Sequence, residues 1–183
     1  SDRKISQTIG LEAEIMPDGS VIDNLTITRN HNAIKREPFS GVRNVDWLRI
    51  YAPLGSELIS AQGFKPVDQI YFEPADPAWR TDETVAAGEA KATVEQSSGT
   101  KIYDELGKTV FANWSQVDPG ESTIINIKYK LPFKITPKEN ATEKSLSQKL
   151  GEAVASALNP TQQQLYPYSL LVQKQPGMNS SSI

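Results

Sequence analysis

Apolar and polar side chains alternate along several segments of the chain, and this alternation is the first structural signal in the sequence. From residue 8 to residue 15 the odd positions are apolar and the even positions are polar or small. Successive side chains of a strand point to opposite faces, so this pattern predicts a half-buried β-strand. Asp18-Gly19 then supplies a tight turn, and residues 21–28 predict the returning strand of a hairpin.

The same alternation returns in the second half of the chain, on both sides of a Pro-Gly turn. Residues 118–121 read DPGE, which places proline at the second turn position and glycine at the third, where a type II turn requires positive φ. Residues 108–117 predict the strand before this turn. In the strand after it, the side chains predicted to point inward are Ile125, Ile127, Tyr129, Leu131 and Phe133.

Other segments show a weaker version of the pattern. In residues 45–53, Trp47, Arg49 and Tyr51 share one face of a predicted strand, and apolar side chains occupy the other face. Residues 85–96 predict a strand of small residues. The remaining predicted strands are residues 57–61, 69–73 and 168–174.

One helix is predicted late in the chain, over residues 145–159, where leucine or valine recurs every four residues and Asn159-Pro160 ends the run. Many strands with a single helix predict a mainly β fold, an antiparallel immunoglobulin-like β-sandwich. The length is compatible with one domain over residues 1–183, with residues 136–164 as a helical insertion between the last strands. Two small domains remain an alternative.

Composition narrows the classes of function. The formal net charge is −3 and the charges are scattered, so we expect no nucleic-acid partner. The longest basic cluster, Lys35-Arg36 with Arg29 and Arg43 nearby, predicts a solvated loop or strand face. The absence of cysteine excludes disulfides, thiolate zinc sites and cysteine nucleophiles, and it favours an exported bacterial protein.

Membrane and export signals are also missing from the given sequence. No apolar run reaches the roughly 20 residues that a spanning helix needs, and no signal peptide opens the chain. We therefore expect a soluble piece, a fragment of a longer chain.

Three blocks of sequence resemble a known bacterial family. They are GVRNVDWLRIYAPLGSELISAQGF, GKTVFANWSQVDPGESTIINIKYKLPF and YSLLVQKQPG, which cover residues 41–64, 107–133 and 168–177. They look like the C-terminal, non-cytoplasmic region of the family known as domain of unknown function 4012. The resemblance implies a bacterial envelope protein with a transmembrane segment upstream and an extracellular outer part. It implies no catalytic residues.

Motifs for catalysis and cofactor binding are absent from the sequence. His31 is the single histidine, which excludes the usual zinc sites, and it lies outside any nucleophile elbow. We interpret it as an exposed histidine at the end of a strand. Neither a Walker A sequence nor a G-x-G-x-x-G sequence occurs. We therefore predict no catalytic residue, no cofactor and no bound metal.

The long stretch from residue 64 to residue 84 is the one candidate for binding. Tyr71, Trp79 and Arg80 are the residues we select as possible contacts for a glycan or a protein partner. The preferred alternative is that the aromatic rings of this loop plug an open edge of the sandwich, while Trp47 and Trp114 serve packing. Carboxylates that could bind calcium are interpreted as solvated loop charges; they are Glu73, Asp76, Asp82 and Glu83.

The sequence thus favours a non-enzymatic β-sandwich module of a bacterial cell-envelope protein, acting as a scaffold or as an interaction surface for an unknown protein or glycan. A carbohydrate-binding module that uses the aromatics around Trp79 is the alternative. A hydrolase with paired carboxylates ranks third, because no sequence feature suggests it directly. Contact with a membrane is expected only through segments upstream of this chain.

Overall fold

Nine strands and one helix make up the described part of the chain, which is residues 2–135, 169–173 and 181–182 of a computed structural model. The strands are β1 (Ile5–Ile15), β2 (Ser20–His31), β3 (Asn44–Pro53), β4 (Glu57–Gln62), β5 (Thr93–Val94), β6 (Lys101–Glu105), β7 (Lys108–Val117), β8 (Ser122–Lys134) and β9 (Ser181–Ser182). Helix α1 spans Glu83–Glu89, and single 3₁₀ turns span Asp2–Lys4 and Gln69–Tyr71.

The strands form two sheets. The first sheet has the order β4-β8-β2-β1, with every neighbour antiparallel, and the two-residue β9 pairs in parallel with β1 at Gln7 and Thr8. The second sheet has the order β3-β7-β6-β5 and is antiparallel throughout. The predicted mainly β fold, an antiparallel sandwich, is confirmed.

Strand order distinguishes this sandwich from an immunoglobulin constant domain, in which one sheet holds the first, second, fifth and fourth strands and the other the third, sixth and seventh. Here, with the two-residue β5 and β9 set aside, the described strands lie in the orders first-second-seventh-fourth and third-sixth-fifth. The first four strands therefore take the immunoglobulin positions. The last three fill the same positions in the opposite chain order.

Alternating side chains fill the space between the sheets. The buried apolar residues of the two central strands of the first sheet are Val21, Leu25, Ile27, Ile125, Ile127, Tyr129 and Leu131. Phe111 of β7 packs across on Tyr129, with ring centroids 5.5 Å apart. The predicted inward row of β8 is thus confirmed up to Leu131, and the prediction is wrong for Phe133, which is 47% exposed beyond the edge of the core.

The two predicted turns have different roles, because only the first joins strands that pair with each other: β1 pairs with β2, whereas β7 and β8 lie in different sheets. Gly120 has φ of 80°, and the Glu121 N–H donates to the Asp118 carbonyl at 2.9 Å, as the DPGE sequence predicts. In the first hairpin Gly19 also has φ of 80°, and the Asp18 carboxylate accepts from the Ser20 hydroxyl at 2.6 Å. The Asp18-Gly19 turn fixes the alignment of β1 with β2, and the DPGE turn carries the chain from the second sheet to the first.

Two predicted strands are wrong, and a third is correct only at Thr93–Val94. The predicted strand 85–96 overlaps α1 for its first five residues, because Asp82 caps the helix through the Thr84 and Val85 N–H groups and the alanine-rich sequence favours a helix. Residues 69–73 contain a 3₁₀ turn. Residues 169–173 form no strand, and Leu171 among them is 94% exposed.

The chain divides into two compact units. Residues 1–135 with 174–183 form the unit that contains the sandwich, and residues 136–173 form the second. The helix predicted over 145–159 and the helical insertion predicted over 136–164 lie outside the described residues.

Candidate functional site

The stretch between β4 and β5 is anchored to the second sheet at its start. The Lys65 N–H donates to the Trp114 carbonyl at 3.0 Å, and the Gln116 side chain donates to the Pro66 carbonyl at 2.6 Å. A few residues later the Asp68 carboxylate accepts from the Ile70 N–H at 3.1 Å and begins the 3₁₀ turn. These bonds lead the chain from the end of β4 onto the outer face of β7.

The sequence-predicted contact residues Tyr71, Trp79 and Arg80 are all exposed to solvent. The exposed fraction is 73% for Tyr71 and 65% for Trp79, and the rings of these two residues make no contact with each other. The plug interpretation is therefore wrong for Tyr71 and Trp79. It holds in part for Phe72, whose ring centroid lies 5.8 Å from that of Trp114.

The aspartates of this stretch accept hydrogen bonds from its own backbone. Asp76 accepts from the Ala78 N–H at 2.8 Å, and Asp82 caps α1. Among residues 2–135, 169–173 and 181–182, no group of three or more His, Asp or Glu side chains is arranged to bind a metal ion. The bonds made by Asp76 and Asp82 are those of side chains that start turns and helices.

An aromatic face covers the outside of the second sheet; it consists of Trp47, Tyr51, Phe72, Tyr103 and Trp114. Trp47 and Trp114 lie directly opposite each other on β3 and β7, with ring centroids 4.9 Å apart and planes tilted by 59°. Tilted pairs at this distance are favourable. The packing role predicted for the two tryptophans is consistent with this pair, although it lies outside the core between the sheets.

Charged side chains lie over the middle of the aromatic face. Glu105 accepts from the Tyr51 hydroxyl at 2.7 Å and pairs with Arg49 at 3.3 Å, and the Lys101 ammonium lies 5.9 Å from the Trp47 ring centroid. Burial, followed by the bond to Glu105, raises the pKa of Tyr51 to about 12. Ala112 beneath these groups is 0% exposed, so the face is covered by its own side chains.

A second polar cluster lies inside the sandwich, around Arg29. Its guanidinium donates to the Ser115 hydroxyl at 2.7 Å and to the Asn44 amide oxygen at 2.6 Å, and it lies 3.3 Å from the Asp46 carboxylate. Burial lowers the pKa of Arg29, while Asp46 acts in the opposite direction. The prediction that Arg29 belongs to a solvated basic cluster is wrong, since the residue is 3% exposed.

His31 lies beside this cluster and is also buried, at 1% exposure, so the predicted exposed histidine is wrong. The strand β2 continues through His31 and turns its side chain inward, because odd residues of β2 face the core. The Nδ1 atom accepts from the Ala33 N–H at 3.3 Å, and Nε2 lies 3.0 Å from the Val42 carbonyl. These partners fit a neutral ring with its proton on Nε2.

The sequence missed the aromatic face as a unit. The alternation of residues 45–53 places Trp47 and Tyr51 on one side of β3, but nothing in the sequence pairs β3 with β7. The neighbouring strand β6, which contributes Tyr103, was not predicted at all, because its five residues are too short for a clear pattern.

Comparison of the chain with known protein families, with curated proteins and with solved structures finds no match.

Proposed function

We propose that the chain is a non-enzymatic β-sandwich module of a bacterial cell-envelope protein, which serves as a scaffold or an interaction surface. The observation that carries the proposal is the interior of the sandwich. Apolar rows fill most of it, and Arg29, which with Asp23 is one of its buried charged residues, is held by Ser115, Asn44 and Asp46. A filled interior gives a rigid frame, and the connections at its ends are then free to vary and to contact partners.

The enzyme alternative finds little support in the placement of the carboxylates. Glu12 and Glu14 line a depression on the first sheet together with Lys128, and both glutamates are exposed on an open strand. A hydrolase needs two carboxyl groups that face each other across the bond to be broken. Side chains at alternate positions of one strand point the same way, which does not provide that arrangement.

The envelope location is supported by the resemblance of three sequence blocks to the outer region of the domain of unknown function 4012 family. In the part of the chain that the structure describes, no helix combines the length and the apolar character that crossing a bilayer requires. On this proposal, attachment to the membrane belongs to the rest of the full-length protein.

Protease accessibility on intact bacterial cells tests the location. The full-length protein, with an epitope tag at the tip of the β6–β7 turn next to Leu106, is expected to lose the tag when protease is added to intact cells. A cytoplasmic protein with the same tag serves as the control and stays uncut. Protection of the sandwich until the cells are lysed would contradict an extracellular position on the cell surface.

A second candidate function, binding of carbohydrate, is favoured by the exposure of Tyr71 and Trp79. Exposed rings can stack on the apolar faces of sugars, and Arg80 next to Trp79 can supply hydrogen bonds to hydroxyl groups. The two rings lie in one continuous stretch of chain that the bond from Gln116 to Pro66 attaches to the second sheet.

A glycan array followed by titration of tryptophan fluorescence separates the two candidates. If the chain binds sugar here, we expect a hit whose affinity falls at least about tenfold in Trp79→Ala, because a stacked ring contributes much of such an interface. Phe39→Asn, which changes an exposed aromatic residue elsewhere, is the matched control and should bind normally. An array without hits would contradict carbohydrate binding and leave the scaffold as the proposed function.

A further inference from the structure

The connection between β2 and β3 carries large apolar side chains that face solvent. We call residues 32–43 the tip loop. Within it Ile34 is 78% exposed, Phe39 is 99% exposed and Val42 is 60% exposed. Single exposed apolar residues are ordinary, but several in one short connection mark a surface that contacts something.

The tip loop is held in one arrangement by its own hydrogen bonds. The Gly41 N–H donates to the Glu37 carbonyl at 2.8 Å, and the Glu37 N–H donates to the Ile34 carbonyl at 3.0 Å. Lys4 of the N-terminal turn pairs with the Glu37 carboxylate at 2.7 Å. The exposure of Phe39 is therefore built into a hydrogen-bonded loop.

Two residues of the tip loop have a backbone conformation that large side chains rarely adopt. Arg36 has φ of 68° and Phe39 has φ of 64°. Glycine or asparagine is the usual choice at such positions, and strained residues that persist cluster at functional sites. The strained backbone at Phe39 exposes its aromatic ring to solvent. The ring does not pack against any other residue that the structure describes.

Cations surround the exposed apolar side chains. Arg43 donates two hydrogen bonds to the Asp118 carboxylate, at 2.7 and 2.8 Å, and lowers its pKa; Lys35 and Lys65 lie near enough to lower it further. The charged residues of the tip loop itself are Lys35, Arg36 and Arg43 against Glu37. Three cations against one anion give the loop a formal net charge of +2, on a chain whose formal net charge is −3.

We propose that the tip loop docks on an anionic lipid surface, with Phe39 inserted among the headgroups and Lys35 and Arg36 in contact with their negative charges. An aromatic tip flanked by basic side chains is the combination that binds at the boundary between headgroups and acyl chains. The local positive charge on an acidic protein argues for an anionic surface and against an uncharged apolar partner. This inference goes beyond the proposed function and does not depend on the cellular location.

Co-sedimentation of the full 183-residue chain with vesicles tests the proposal. Vesicles of phosphatidylcholine and phosphatidylglycerol in equal parts are compared with vesicles of phosphatidylcholine alone, at low and at high NaCl. We expect binding to the anionic vesicles that weakens with salt and is at least about fivefold weaker without phosphatidylglycerol. Phe39→Asn should reduce binding about tenfold, because it removes the inserted ring. Asparagine tolerates positive φ, so the loop is kept.

Leu106→Asn is the matched control for this variant. Leu106 is also large, 87% exposed and at positive φ, with φ of 52°, but it lies in the β6–β7 turn at the opposite end of the second sheet. We expect this variant to bind vesicles normally. Lys35→Gln should weaken binding to anionic vesicles about fivefold and leave the residual binding to neutral vesicles unchanged.

A tryptophan at the tip reports insertion directly. Phe39→Trp in a Trp79→Phe background still contains Trp47 and Trp114, so its emission is compared with that of Trp79→Phe alone. The difference should show a blue shift and quenching by brominated lipid when anionic vesicles are added. Failure to bind anionic vesicles, or an equal loss in Leu106→Asn and Phe39→Asn, would overturn the proposal. Self-association that Phe39→Asn abolishes in the absence of vesicles would overturn it as well, because the occupant would then be a second copy of the chain.

Discussion

Arg29 shows at the scale of one residue how much the interior depends on a charged group. Its side chain is 4% exposed and binds Ser115, Asn44 and Asp46. Arg29→Met leaves the three partners behind without their cation, and removal of one member of a buried charged pair destabilises strongly. We expect a loss of about 3 kcal/mol in the free energy of unfolding, measured by urea denaturation.

Arg49→Met is the control for this prediction. Arg49 pairs with Glu105 at a similar distance, 3.3 Å, but the two side chains are 46% and 35% exposed. Exposed ion pairs contribute less than about 1 kcal/mol, since both groups are well solvated when they separate. Equal losses in the two variants would show that burial of Arg29 has no special role.

Glu95 gives a prediction about pH. Its carboxylate accepts hydrogen bonds from the hydroxyl and the N–H of Ser98 and from those of Ser97, which together lower the pKa from 4.5 to about 2. A lowered folded pKa means that the charged form stabilises the fold. This contribution is present above pH 4.5 and disappears as the pH falls through about 2.

NMR titration of the Glu95 carboxyl should therefore show a midpoint near 2. Ser98→Ala, which removes the hydroxyl donor, should move the midpoint upward towards the ordinary value. In Glu95→Gln the free energy of unfolding should lose the pH dependence that comes from residue 95, because glutamine does not titrate. A Glu95 midpoint at the ordinary value in the unmodified chain would contradict the hydrogen bonds of this turn.

Elements with a clear period and a turn signal could be predicted from the sequence. The hairpin of β1 and β2 and the single strands β7 and β8 follow from alternation combined with Asp18-Gly19 and Pro119-Gly120, although β7 and β8 lie in different sheets. Alternation does not say which strands are neighbours. As a result the sequence could not show that β8 lies between β2 and β4, or that β7 pairs with β3.

Helix α1 shows where the alternation misleads. Its alanines and glutamates alternate well enough to suggest a strand, and a segment of seven residues is too short to show a helical period. The signal that could have identified it is the aspartate at position 82, followed by a glutamate and then by alanines, which are strong helix formers. Helix propensity and the Asp82 cap determine the structure of this segment. It has no buried residue, so burial imposes no pattern of apolar positions on it.

Gly63 supports a prediction about the end of β4. It has φ of 84°, and a Cβ atom there would lie 1.9 Å from the Ile124 carbonyl oxygen of β8. Gly63→Ala must therefore push two paired strands apart, and we expect a loss of about 3 kcal/mol or more. Gly107→Ala, at φ of 69° with open space around it, should lose only about 1 kcal/mol. Thermal or urea unfolding of both variants compares them, and equal losses would contradict the close approach of β4 and β8.

At the scale of the whole molecule, the sequence predicted the class of fold and only part of the candidate sites. Tyr71 and Trp79 were selected because aromatic side chains in a long connection can stack on a sugar ring or anchor a protein partner, and their exposure keeps the sugar hypothesis open to test. The aromatic face and the Arg29 cluster each join strands that are far apart in the chain. Such groups depend on sheet order, which a single sequence does not encode in any local pattern. The resemblance to domain of unknown function 4012 stays a prediction.

The packing of Phe111 on Tyr129 leads to a prediction about the cooperativity of the whole sandwich. Phe111 lies on the second sheet and Tyr129 on the first, and both belong to one unbroken interior. If either sheet opened alone, it would expose the apolar row of the other, so we expect the two sheets to unfold together.

Phe111→Ala tests this coupling, because a lost buried ring costs about 4 kcal/mol. Hydrogen exchange followed by mass spectrometry should show that the slowest amides of β8 lose the same protection as those of β7, although the substitution lies on β7. Leu106→Asn, at an exposed turn, should leave both strands protected. Protection that falls in β7 and persists in β8 would mean that the sheets open separately. The interior could not then act as the rigid frame on which the proposed function rests.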